Sequence, residues 1–193
     1  MYQITYFAIS IVCLVLAAVC FKMNQPNRGA IDLSLAHASD DPLNVPERMM
    51  PYYDSAYLNK FILVADAQPT SFGKSALQLY IRPTLLWIDI GFAVFCAAFA
   101  TFFWLGLLNV LPESLWVRRL MLFFITMSLL YGVADVAEDL WLVRLFTRGG
   151  EVSKSEGYIA CALTETKLAT ISLSVAGGLL FEILQVTFPR QRT

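Results

Sequence analysis

The chain has 193 residues, of which 58% are hydrophobic and 15% are charged, and its formal net charge is -1. A water-soluble domain could not bury that much apolar surface, and the lack of a basic stripe in the sequence argues against a nucleic-acid partner. The composition therefore predicts a membrane protein that is surrounded by the lipid bilayer.

Four apolar windows are long enough to cross the hydrocarbon layer, which takes about 20 residues. They cover residues 4–23, 84–111, 116–146 and 157–188. The first window has no positively charged start and is followed by no small-residue cleavage site, so we interpret it as a retained span and not as a signal peptide. The predicted fold is an all-α transmembrane domain, residues 1–193, built as a four-helix antiparallel bundle.

Residues 24–83 form a long connection between the first and second spans. Its first half is rich in turn-forming residues, including Asp40, Asp41 and Pro42, and is predicted to be an irregular surface loop. Its second half carries helical signals, so the connection as a whole is predicted to be partly helical.

Two short helices are predicted in the second half of this connection. Asp54 is a suitable N-cap for the first, whose apolar positions recur at helical spacing and suit an element lying at the membrane interface. Pro69 should end that helix, because proline interrupts the helical hydrogen bonds. Thr70 or Ser71 is then expected to cap a second helix that leads into the second span, with Pro83 marking a kink or a new start.

The remaining connections are short. Residues 112–114 join the second and third spans, and residues 148–156 join the third and fourth. Short links make consecutive helices antiparallel neighbours. Small residues four positions apart, such as Ala93, Ala97 and Thr101 on the second span, predict close contacts between helices.

Charged side chains within the apolar spans are the most unusual feature of the sequence. Each is unfavourable by at least about 2.5–3.5 kcal/mol at the centre of a bilayer, so a group of them requires an explanation. A helical rise of about 1.5 Å per residue places these groups in one layer, near the side that carries the long connection. The predicted polar intramembrane cluster consists of Asp89, Tyr131, Asp135, Glu138, Asp139, Thr164 and Lys167.

The spacing of these residues predicts that they meet inside the protein. Tyr131, Asp135 and Asp139 are four positions apart and Glu138 is three from Asp135, so the third span presents one polar face. If that face meets the fourth span, Lys167 becomes the counter-ion of Asp135 or Glu138. The sequence thus predicts an intramembrane ion pair, with Asp89 close to it.

Carboxylates outnumber cations in this cluster, with only Arg82 and Arg144 as further candidates for pairing. An unmatched buried carboxylate should become protonated, bind a cation or contact the positive group of a ligand. Three interpretations are open: a structural network that fixes helix register, a functional polar pocket, and an interface for a partner protein.

The sequences of the third and fourth spans resemble those of a family of small four-span membrane proteins. Residues 134–139 read Ala-Asp-Val-Ala-Glu-Asp and residues 164–167 read Thr-Glu-Thr-Lys, preceded by Tyr80 and Asp89. The family pattern is Ala-Asp-x-x-Glu-Asn on span three and Thr-x-x-Lys on span four, so Asp139 stands here in place of asparagine. The resemblance covers residues 52–167 and implies a four-helix bundle with a shared polar core, and no established activity.

Motifs of cofactor chemistry are missing from the sequence. His37 is the only histidine, and the four cysteines lie in apolar stretches without CxxC spacing, so neither a metal site nor a disulfide framework is predicted. Nucleotide-binding and serine-hydrolase motifs are missing as well, and no cofactor is predicted.

These observations favour a non-catalytic accessory or scaffolding subunit of a larger membrane complex, with other membrane protein subunits as partners. An enzyme is not favoured, since the sequence has no catalytic motif. The first alternative is a small lipid- or sterol-binding membrane protein, or enzyme, that uses the intramembrane carboxylates Asp89, Asp135 and Glu138. A fully packed interior would remove this alternative. The second alternative is proton or cation transfer through the cluster.

Overall fold

The computed structural model describes residues 2–38, 43–49, 52–110 and 115–187, with side chains described up to Gly178. Every named element in these ranges is helical. In chain order they are α1 (Tyr2–Ala36), a 3-10 helix (Pro46–Arg48), α2 (Ser55–Ala67), α3 (Ala76–Leu79), a π-helical segment (Tyr80–Asp89), α4 (Ile90–Leu108), α5 (Leu115–Thr147) and α6 (Lys154–Thr187).

Four of these stretches are long and apolar enough to cross a membrane: Ile4–Ala36, Ala76–Leu108, Leu115–Thr147 and Lys154–Gly178. Each contains most of one predicted window, so the prediction of an all-helical chain with four membrane-length helices is confirmed. α1 packs against α4, α4 against α5, and α5 against α6. Within the described residues α1 and α6 share no extended contact.

α1 continues well past residue 23, where the sequence predicted its end. The segment 24–36, predicted as irregular loop, is helical, with Pro26 inside the helix. Ile31 and Leu35 are fully buried in the extension, and burying such a side chain contributes about 1.5–3 kcal/mol. This packing overrides the turn-forming composition, so the prediction was wrong here. The predicted turn residues 40–42 lie outside the described residues.

α2 begins as predicted. The Asp54 side chain accepts a hydrogen bond of 2.8 Å from the backbone N–H three residues further on, and the helix ends two residues before Pro69. Leu58 and Phe61 are fully buried. The helix therefore covers the end of the long helices with its apolar side and does not merely lie at the interface.

The cap of α3 differs from the prediction. Ser75, and not Thr70 or Ser71, accepts the capping hydrogen bond, at 3.2 Å. Thr70 instead closes a tight turn, because both its N–H and its hydroxyl donate to the Lys74 carbonyl at 2.8 Å. Gly73 in this turn has a φ of +70°, a conformation that glycine adopts without strain.

The second span begins earlier than predicted, at Ala76, and it is kinked. Arg82 has an extended backbone (φ -138°, ψ 120°) in front of Pro83, which disfavours the α conformation in the preceding residue. The kink predicted at Pro83 is thus confirmed. α4 ends at Leu108, before the predicted boundary, and the link predicted at residues 112–114 lies outside the described residues, as does the predicted end of span four at residue 188.

Two apolar cores lie at opposite ends of the long helices. The loop-side core joins α1, α2, α3, the π-helical segment, α5 and α6, and its largest fully buried side chains include Phe61, Tyr80 and Leu142. The aromatic core is Trp104, Met121 and Phe124. Between them α4 and α5 approach closely: a Cβ added to Gly132 would lie 2.6 Å from the Cβ of Ala97. Of the small residues predicted to pack on the second span, Ala97 therefore makes the close contact and Ala93 is fully buried.

Candidate functional site

A cavity of about 340 Å³, called the polar chamber below, lies among the four long helices at the end that carries the loop-side core. Its walls come from α1, the 3-10 helix, the end of the π-helical segment, α4, α5 and α6. The charged side chains in its lining are Arg28, Glu47, Asp89, Asp135, Asp139 and Lys167, joined by Phe92, Cys96, Tyr131, Leu168 and Ile171.

The cation from α6 contacts two acids from α5. The Nζ of Lys167 lies 2.9 Å from Oδ1 of Asp135 and 2.5 Å from Oε2 of Glu138. Both carboxylates face α6 because they are three positions apart on one helix. Glu138 is completely buried, and a buried carboxylate without a partner would be strongly unfavourable. One ammonium group is thus shared by two neighbouring acids.

A hydrogen-bonded chain connects this group to the long connection. The Thr164 hydroxyl donates to Glu138, so it must accept from Tyr53, whose hydroxyl lies 3.0 Å away. Burial, followed by the negative charge of Glu138, raises the pKa of Tyr53 above its usual range. The phenol is therefore neutral and able to donate. Tyr53 was not predicted as a site residue, because it lies outside the helices and 111 positions from Thr164 in the sequence.

Asp89 has a different set of partners. Its Oδ1 accepts from Asn24 at 2.8 Å and from Arg28 at 3.0 Å. Arg28 also lies 3.7 Å from Glu47. The sequence did not indicate Asn24, Arg28 and Glu47 as site residues, because all three fall in the segment predicted as an irregular loop. Asn24 and Arg28 are four positions apart, and that spacing was an available sign of a helix.

Asp139 is the most deeply buried acid in the lining of the chamber. It is 1% exposed, and its Oδ2 has no hydrogen-bond partner among the described residues. Oδ2 of Asp89 and Oε1 of Glu47 are likewise buried without a partner in the described ranges. Arg144, which the sequence offered as a reserve cation, lies over the Trp141 ring at 5.3 Å and does not line the chamber. Arg82, the other reserve, is exposed and outside the lining.

The seven residues predicted from the sequence as a polar cluster fall into two groups. Five of them line the polar chamber, while Glu138 and Thr164 lie behind Lys167, toward Tyr53. The five lining residues are Asp89, Tyr131, Asp135, Asp139 and Lys167.

The chamber also contains a thiol. Cys96 is a free cysteine that is partly accessible and lines the cavity. Among the residues that the structure describes, no group of three or more His, Cys, Asp or Glu side chains is arranged to hold a metal ion.

No protein-family model, curated protein or solved structure matches the chain. The resemblance carried by residues 134–139 and 164–167 therefore stays a prediction. The function has to be argued from the chemistry of the polar chamber.

Four carboxylates line the chamber against two cations, and Glu138 adds a fifth acid behind Lys167. Burial disfavours the charged form of a carboxyl group, so an unmatched one either takes up a proton or pairs with a positive group. In the second case the chamber would bind a positively charged group. Its volume lies within the range of about 300–1,000 Å³ that is usual for small-molecule pockets.

Proposed function

We propose that the protein is a multi-pass membrane protein, folded as an antiparallel four-helix bundle, whose polar chamber binds a small molecule through its amine group. The observation that carries the proposal is the buried Asp139 carboxylate, which lines the cavity and has one oxygen without a partner among the described residues. A protonated amine has the charge and the N–H donors that this oxygen lacks.

The membrane part of the proposal rests on the outer surfaces of the helices. α1 leaves apolar side chains such as Ile11, Val12 and Val15 more than half exposed, at 62%, 57% and 56%. Contiguous apolar surface of this kind is covered by lipid or by another protein. Together with the length of the four apolar helices, it favours a bilayer as the surroundings.

The polar chamber favours ligand binding over the other interpretations. A packed interior would have removed this alternative, and the interior contains a cavity of about 340 Å³. Proton or cation transfer would need a polar path to the opposite end, where Trp104, Met121 and Phe124 form the aromatic core. The accessory-subunit hypothesis stays a prediction, and other membrane subunits could cover the exposed apolar faces without entering the chamber.

The test compares two probes that differ only in the head group, hexylamine and hexanol, on the purified protein in lipid nanodiscs. We expect hexylamine to raise the unfolding temperature of the wild type and hexanol to have a much smaller effect. Asp139→Asn should weaken hexylamine binding by about ten-fold or more, which corresponds to about 1.4 kcal/mol. Glu165→Gln is the matched control, since Glu165 is an exposed acid on α6.

A second readout uses the protein's own thiol. In a variant that keeps Cys96 and has alanine at the other three cysteines, hexylamine should slow labelling of Cys96 by N-ethylmaleimide. Equal stabilisation by the amine and the alcohol would overturn the proposal. So would an unchanged hexylamine affinity in Asp139→Asn.

A further inference from the structure

The polar chamber has a closed floor and a partly open side. Its floor is formed by α5, whose lining residues Tyr131, Asp135 and Asp139 are all buried. The lining residues from the neighbouring helices, such as Phe92 on α4 and Ile171 on α6, are only half-buried. The cavity therefore opens away from α5.

The helices that line the chamber do not all contact one another. Lining residues come from α1 and from α6, although these helices share no extended contact in the described parts of the chain. We call the opening on this side the α1–α6 seam. Its defining residues are Phe92 and Cys96 of α4, which packs against α1, and Leu168 and Ile171 of α6. Phe21 of α1 extends its rim, because its ring lies 6.3 Å from that of Phe92.

The lining changes from charged to apolar along the helices. On α6 it runs from Lys167 to Ile171, a distance of about 6 Å along the axis. On the second span it runs from Asp89 to Cys96, about 10 Å. Both helices thus place charge at the loop-side end and apolar side chains further toward the middle of the membrane.

Charged groups line the loop-side end of the chamber. Arg28 lies 3.0 Å from Asp89 and 3.7 Å from Glu47, and Glu47 belongs to the 3-10 helix. Approach from this end passes these charged side chains, whereas approach through the α1–α6 seam passes the residues that define it.

We infer that the polar chamber takes a single-chain amphiphile with a cationic amine head, which enters sideways from the bilayer through the α1–α6 seam. The inference rests on the proposed amine binding and adds the nature of the tail and the route. The head lies against Asp139 and Asp89, and the alkyl chain passes Cys96 and Ile171 into the lipid. The amine head thus lies against the charged part of the lining, and the alkyl chain lies against the apolar part.

The experiment separates head from tail by comparing dodecylamine with butylamine in phosphatidylcholine nanodiscs. Ile171→Trp fills the seam, and we expect it to weaken dodecylamine binding by about ten-fold while butylamine binding changes by less than about two-fold. Leu173→Trp is the matched control, because Leu173 lies two residues further on the same helix, is exposed and is not part of the lining.

Photo-crosslinking gives a second measurement that does not depend on the Trp variants folding. Benzoylphenylalanine at position 171 should capture an alkyne-tagged dodecylamine, and untagged dodecylamine should compete while dodecanol should not. Capture at position 173 should be insensitive to either competitor. Equal effects of Ile171→Trp on both amines, or equal competition at positions 171 and 173, would overturn the lateral route and leave amine binding standing. Failure of both amines to bind the wild type would instead overturn the proposed function.

Discussion

The two ends of the long helices are held together by different chemistry. At the far end, Trp104 stacks on Phe124 with ring centroids 4.7 Å apart, and its indole N–H donates to Ser174. Ser174 in turn pairs with Ser128 at 2.9 Å. At the loop-side end, charged groups surround a cavity and several buried oxygens have no partner among the described residues, including those of Asp139 and Asp89.

This difference separates structural polar groups from candidate functional ones. At the far end the polar groups of Trp104, Ser174 and Ser128 bond to one another, and the buried atom left without a partner in the described ranges is a neutral hydroxyl, that of Thr101. At the loop-side end the groups without a partner include carboxylates, whose burial costs more than that of a hydroxyl. The unsatisfied carboxylates therefore favour a ligand role for the polar chamber over a purely structural one.

The largest expected effect comes from removing the cation at the loop-side end. Lys167→Met leaves Asp135 and Glu138 without their counter-ion, and breaking a buried pair in this way destabilises a protein by about 3–5 kcal/mol. Adding Glu138→Gln should recover part of the loss, because the uncompensated charge is then removed. Unfolding in denaturing detergent measures each term of this double-mutant cycle.

Lys154→Met is the control for this cycle, because Lys154 is exposed at the start of α6. It should change stability by less than about 0.5 kcal/mol. If the losses in Lys167→Met and Glu138→Gln simply add, the two groups do not interact energetically.

A smaller effect is expected at the far end. Trp104→Phe keeps an aromatic ring on Phe124 but removes the hydrogen bond to Ser174, which should lower the free energy of unfolding by about 1–3 kcal/mol. Trp116→Phe should be almost neutral, since Trp116 is exposed. Hexylamine affinity should stay at the wild-type value in both variants. A weakened affinity in Trp104→Phe would mean that the two ends are not independent.

The smallest effect is expected in the helix that covers the loop-side end. Asp54→Ala removes the N-cap of α2 and should destabilise the protein by about 1 kcal/mol. Asp54→Asn should retain most of the stability, because asparagine caps helices about as well as aspartate. Thermal unfolding followed by circular dichroism distinguishes the two variants, and equal losses would show that the cap hydrogen bond is not what stabilises α2.

Local patterns in the sequence were enough to predict the parts of the fold that depend on neighbouring residues. Apolar length gave the four long helices, and the Asp54 cap and the Pro83 kink follow from the chemistry of single residues. The helical rise placed Asp135 and Lys167 at one depth, and the structure brings their charged atoms within 2.9 Å.

The missed features depend on contacts between distant residues. Asn24 and Arg28 resemble loop residues in the sequence, and they are helical because Ile31 and Leu35 are buried in the loop-side core, where α1 contacts α2, α3 and the π-helical segment. Tyr53 contacts Thr164 across 111 positions, which no local spacing can show. The open side of the chamber could not be predicted either, because it arises from the way whole helices pack.

The segment between α1 and α2 contributes two residues to the chamber and its surroundings, Glu47 and Tyr53. Glu47 supplies one carboxylate of the lining. Tyr53 hydrogen-bonds to the Thr164 hydroxyl, which in turn donates to Glu138. Detaching this segment would remove both the Glu47 carboxylate and the Tyr53 hydroxyl from the interior. By thermodynamic reciprocity, any molecule that is held more tightly with the segment in place must itself favour the docked form. If the chamber binds a ligand in this way, an event that moves the segment and the occupancy of the cavity would therefore affect each other.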